Sequence, residues 1–126
     1  MYRKSLVALT AAAVLVLAIG VTAAYAAKVG TSITVRDYNT NPGDTDDVFV
    51  GDLDSSKAKC ERGRVVKMFK QTATGFKLVD TDISSFHGAW GTRGNLAGEP
   101  PLKFTVARKS LNHGALICKS ASVNFP

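Results

Sequence analysis

Three groups of residues in this chain are of types that do chemistry. The first is the cysteine pair, Cys60 and Cys118, together with the only histidines, His87 and His113. A thiol nucleophile needs a base in reach, and a zinc site needs ligands in close pairs such as C-x₂-C. Here the cysteines lie far apart and both histidines sit in turn-like stretches, "SSFHGAW" and "LNHGA". That spacing favours neither a Cys/His active site nor zinc. The second group is "NPGDTDD", which crowds Asp44, Asp46 and Asp47 together. Hard cations take several oxygen ligands, so these three are the candidate calcium ligands, and Asp52 or Asp54 would add another if the chain folds back. The spacing departs from the D-x-D-x-D-G-x₅-E loop, and aspartates are also ordinary turn residues. No cofactor other than this calcium is expected.

The third group is "CERGRVVKMFK", residues 60–70. Arg62, Arg64, Lys67 and Lys70 alternate there with apolar Val66 and Met68. Readers of single-stranded nucleic acid interleave aromatics for base stacking, and Phe69 is the only aromatic in this run, so no specific nucleic-acid partner is expected. The preferred reading is one strand with Val66 and Met68 in the core and all four cations in water. Trp90, in "HGAWGT", is read as a core residue of a sandwich; Gly88 and Gly91 beside it also suit an exposed binding platform.

The elements that must carry these residues are strands. From residue 31 onward the apolar pattern has period two and no helical period. "TSITVRDY", "DVFVGDL", "RVVKMFK", "FKLVDTD", "GAWGTR", "LKFTVARK" and "GALICKSASVNF" predict seven strands. Between them, "NTNPGD", "TATGF", "RGNLAGEPP" and "LNHG" have turn chemistry, with Asn112 and Gly114 suited to positive φ. This spacing predicts an all-β, seven-stranded antiparallel sandwich or small barrel.

The N-terminus sets the context. "MYRKS" is basic, "LVALTAAAVLVLAIGVTAAYAA" has no charge, and Ala24-Tyr25-Ala26 is a small-x-small site. This layout predicts a helical signal peptide over residues 1–26, and a single mature domain over 27–126 that is secreted and has no membrane attachment. The competing reading is an uncleaved anchor, because the uncharged run is just long enough to span a bilayer. In an exported small domain an even pair of cysteines is most often a disulfide, and closing so long a loop restricts the unfolded chain by roughly 4 kcal/mol. Without Arg3 and Lys4 the formal charge falls from +6 to +4, too mild for a dedicated nucleic-acid binder. Aspartates crowd residues 37–54 and cations crowd residues 57–77. Neighbouring strands are expected to bring the two together and cancel much of the asymmetry.

The stretches "VFVGDLDSSKAKCERGRVVKMFK", "TGFKLVDTDISSFHGAWGT" and "FTVARKSLNHGALICKSAS" together resemble short secreted bacterial proteins. These are Greek-key sandwiches of the immunoglobulin-like, transthyretin-like or carboxypeptidase-regulatory-like kind. The resemblance covers about residues 47–123 and departs from the usual pattern at "GTRGNLAGEPPLKF". It implies a disulfide joining Cys60 and Cys118, and no catalytic residues. The expected function is a secreted non-catalytic module, binding or structural, at the envelope or outside the cell. Its expected partner is an anionic envelope polymer or another secreted protein. The alternative is an enzyme or protease inhibitor on the same fold. Transthyretin-like hydrolases use histidines and a terminal Tyr-Arg-Gly-Ser-type motif, whereas this chain ends "SVNFP"; an inhibitor would use a loop such as "AGEPPL".

Overall fold

The computed structural model describes residues 26–40 and 46–126. Residues 1–25 of the expected signal peptide, and Asp44 of the acidic stretch, lie outside the described residues. Those described form an all-β molecule of ten strands: β1 (Ala27–Val29), β2 (Thr31–Asn39), β3 (Asp47–Ser55), β4 (Val65–Thr72), β5 (Gly75–Ile83), β6 (Ala89–Gly94), β7 (Leu102–Val106), β8 (Lys109–Leu111), β9 (Leu116–Cys118) and β10 (Ala121–Phe125). They make three sheets. One is four-stranded, in the order β10-β7-β4-β5, and one is three-stranded, β2-β3-β6; every pairing in both is antiparallel. The third is small, β1-β9-β8, with β1 parallel to β9.

Alternation explains the two larger sheets. Val66 and Met68 of β4 join Phe104 and Val106 of β7 in one buried cluster. Ile33 of β2, Phe49 and Leu53 of β3, and Trp90 of β6 reach the same cluster from the other sheet. The core therefore lies between the inner faces of the two sheets, and the outward positions alternate with it along each strand. A smaller cluster, Val29, Leu116 and the two half-cystines, fastens the third sheet.

The strand count differs from expectation at the C-terminal stretch. "GALICKSASVNF" divides into β9 and β10, which belong to different sheets. The crossing is pinned at Lys119, whose N–H donates to the Val29 carbonyl at 2.8 Å. Neither Gly nor Pro marks the crossing, so the all-buried β9 and the alternating β10 read in sequence as one strand. The three-residue strands β1 and β8 are too short to show any period. Cys60, expected to begin a strand, lies instead in a 3-10 turn, Ala58–Cys60.

The turns use the expected chemistry. Asn112 and Gly114 both have positive φ, 53° and 88°. Gly75, at φ 127°, opens β5 after a tight hairpin in which the Thr72 hydroxyl donates to the Gly75 carbonyl. No helix among the described residues is long and apolar enough to cross a membrane.

Candidate binding face

The cysteine pair forms a disulfide. Cys60 and Cys118 are bonded, with Cα atoms 5.4 Å apart at a sequence separation of 58. Both side chains are fully buried. The thiol chemistry weighed above is therefore closed to them. A disulfide persists in oxidising compartments, so this bond is compatible with an extracellular protein.

Arg64 departs from its expected place in water. It lies just before β4 and is only 1% exposed. The cause is its parity. Arg64 has the same phase as Val66 and Met68, so the strand period turns it inward. Ser84 shapes the approach: its hydroxyl accepts the Arg64 N–H at 2.8 Å and donates to the Glu61 carbonyl at 2.7 Å. The guanidinium then spends four donors on four acceptors. Nη1 reaches the Thr31 hydroxyl and the Cys60 carbonyl, and Nη2 reaches the carbonyls of Ala107 and Lys119, all within 2.7–3.1 Å. No carboxylate pairs with it among the described residues. Desolvation by burial lowers its pKa from the ordinary arginine value, and arginine stays protonated through the ordinary pH range.

The acidic stretch supplies separate contacts. The Asp46 carboxylate pairs with Arg93 at 3.4 Å. Asp47 is buried, and its carboxylate accepts the Leu96 N–H at 3.1 Å, which anchors the loop before β7. Of the aspartates that would add a ligand, Asp52 pairs with Arg36 at 3.8 Å and Asp54 is exposed on the same strand. No group of three or more acidic, histidine or cysteine side chains is placed to hold a metal among the described residues.

The histidines sit at two different junctions. His87 is exposed between β5 and β6 with its ring edge-on to Phe86, and His113 is exposed in the turn between β8 and β9. Trp90 is core. Its ring packs on Phe104 at 5.1 Å and covers Gly51 of β3, its direct cross-strand partner. The indole N–H is buried without a hydrogen-bond partner among the described residues, so packing alone holds the ring.

The charge asymmetry does not cancel by strand pairing. β3 and β4 belong to different sheets, so Asp52 and Asp54 are not cross-strand neighbours of the basic strand. Each sheet keeps its own character. The four-stranded sheet has only two carboxylates, Asp80 and Asp82 on β5, and both turn toward β6. Asp82 accepts the Gly91 N–H and Asp80 the Arg93 N–H, each at 2.8 Å. They thereby satisfy the open edge of β6. What remains on the outward face of that sheet is cationic or apolar, with a few hydroxyls and amides. Register places Val65 opposite Ile83, Lys67 opposite Thr81 and Thr105, and Phe69 opposite Leu78 and Lys103. Ile83 is 65% exposed and Leu78 and Phe76 about half exposed. The Lys103 ammonium lies 5.6 Å from the centre of the Phe76 ring. Beyond the end of β5, Arg62 lies 4.6 Å over the exposed ring of Phe86. The basic run itself contains one aromatic; Phe76 and Phe86 reach its neighbourhood from another strand and a loop.

No family model, curated protein or solved structure matches this chain.

Proposed function

We propose that this chain is a secreted, non-catalytic module of immunoglobulin-like Greek-key architecture that binds an anionic component of the cell envelope. The strand order supports the architecture. The chain lays β2 and β3 in one sheet and β4 and β5 in the other, returns for β6, and crosses again for β7 and β10. The first strand begins at Ala27, the residue that signal cleavage after Ala26 would make the N-terminus. The disulfide suits an oxidising destination.

The observation that carries the binding role is the outward face of the four-stranded sheet. Its charged side chains are all cations, its apolar side chains are exposed, and its two carboxylates are turned away to β6. A face of one sign attracts the opposite sign, and exposed apolar side chains add area to bury. The test is cosedimentation of residues 27–126 with envelope fractions from the host, at low and at raised salt. Binding that weakens as salt rises is expected. No binding at low salt would remove the proposal. The secreted form should begin at Ala27 by intact mass; a form retaining residues 1–26 would refute export by cleavage.

A further inference from the structure

We infer that the β10-β7-β4 half of this face holds a linear polyanion, seated across Lys67 and Lys103. The inference rests on the envelope-binding reading and specifies the site and the chemistry of the partner. A shallow depression of about 520 Å³ lies here. Its walls include Lys67, Lys103, Thr105, Ser120 and Ser122, with Phe69 among the lining residues. Two lysine side chains and three hydroxyl side chains line it, and no carboxylate does.

The register sets the spacing of the two charges. Lys67 pairs with Thr105, and Lys103 pairs with Phe69, so the lysines are diagonal neighbours on adjacent strands. Diagonal positions lie roughly 7–8 Å apart at the backbone. Two cations side by side on one face can meet separate charges along an anionic polymer, where a compact anion would engage one of them. Lysine is a point charge with rotatable donors and makes no demand for a planar acceptor, unlike the arginine fork. The hydroxyls of Thr105, Ser120 and Ser122 supply neutral donors between and beside the charges. The exposed apolar row on β5, namely Phe76, Leu78 and Ile83, lies outside the depression, and only Phe76 meets it, through the Lys103 ammonium over its ring.

Long-chain inorganic polyphosphate is the probe, with fluorescence anisotropy of residues 27–126 as the readout. The wild type should bind at low salt. Lys67→Gln with Lys103→Gln should lower affinity at least tenfold and reduce the slope of log K against log salt by about one to two. Lys57→Gln with Lys59→Gln removes the same charge from exposed positions in the β3–β4 connection, and should keep most of the affinity. Equal losses in the two double variants would show net-charge attraction without a site, and would overturn the inference. Wild-type protein that binds envelope fractions but not polyphosphate would overturn it too, while leaving the envelope-binding reading in place. Leu78→Ser with Ile83→Ser, which leaves Phe76 under Lys103, is the converse probe. If it abolishes envelope binding that the lysine pair leaves intact, the contact is the apolar row on a lipid or protein surface, and the polyanion site is refuted. Absence of binding to either material would overturn both readings.

Discussion

Arg64 is the residue at which type and position disagree most. A buried guanidinium is costly to desolvate unless its donors are used. Here four donors meet four acceptors, three of them backbone carbonyls that would otherwise need partners where the chain changes sheets. Removing the side chain leaves the buried Cys60 carbonyl unpaired and breaks the part-buried bonds to Ala107, Lys119 and Thr31. We expect Arg64→Ala to cost roughly 3–5 kcal/mol, and Arg64→Lys about 2 kcal/mol, because a single ammonium cannot span four acceptors. Urea denaturation of the three proteins checks this. Equal stability of the wild type and the lysine variant would show that charge alone suffices. The inward position was legible in the sequence, since Arg64 shares the phase of Val66 and Met68. What misled was the residue type, which argues for water, and its acceptors come from segments up to 55 residues away. Asp47 repeats the lesson. Its place in the acidic run suggests a ligand, yet its carboxylate serves the Leu96 N–H.

At the scale of elements, the interiors of the strands were legible and their joints were not. Alternation marks β2, β3, β4 and β7 because each has one buried face. It is blind to the crossing at Lys119 and to the partners of Asp80 and Asp82. Those two carboxylates act between sheets. They occupy N–H groups on the open edge of β6, a strand that would otherwise present unpaired donors. Each alanine substitution, Asp80→Ala or Asp82→Ala, should cost about 1–2 kcal/mol. The double variant should also self-associate through the freed edge, seen as higher-mass species on size exclusion. A monomeric double variant of parental stability would contradict this account. Gly51 is the second joint. It lies opposite Trp90, and a methyl there would meet both the Trp90 ring and the Thr34 carbonyl oxygen. Gly51→Ala should therefore cost about 2–3 kcal/mol by overpacking, read from its melting curve. A neutral result would mean that β3 and β6 separate with little resistance.

For the whole molecule, the disulfide and Arg64 hold one junction from two sides. Cys60 gives its sulfur to Cys118 and its carbonyl to Arg64, and Lys119, next to Cys118, gives a second carbonyl. The two ties differ in where they act. The disulfide works mainly by restricting the unfolded chain, and for a loop of 58 residues its loss should cost roughly 2–5 kcal/mol. Arg64 works in the folded state, by pairing the buried Cys60 carbonyl and two part-buried ones whether or not the sulfurs are joined. Cys60→Ser with Cys118→Ser should therefore leave the fold intact, with Arg64 still bonded to the same carbonyls, at a lower melting temperature. Arg64→Ala alone should also remain folded. Because the two losses arise in different states they should nearly add, and a small domain has only about 5–10 kcal/mol in total. The triple variant, lacking both cysteines and Arg64, should then be unfolded at 25 °C while each parent is folded. Far-ultraviolet circular dichroism of the three proteins under identical conditions tests this. A folded triple variant would show that the junction is held by the sheets themselves. An unfolded cysteine variant with Arg64 in place would show that the arginine cannot hold the junction without the covalent bond.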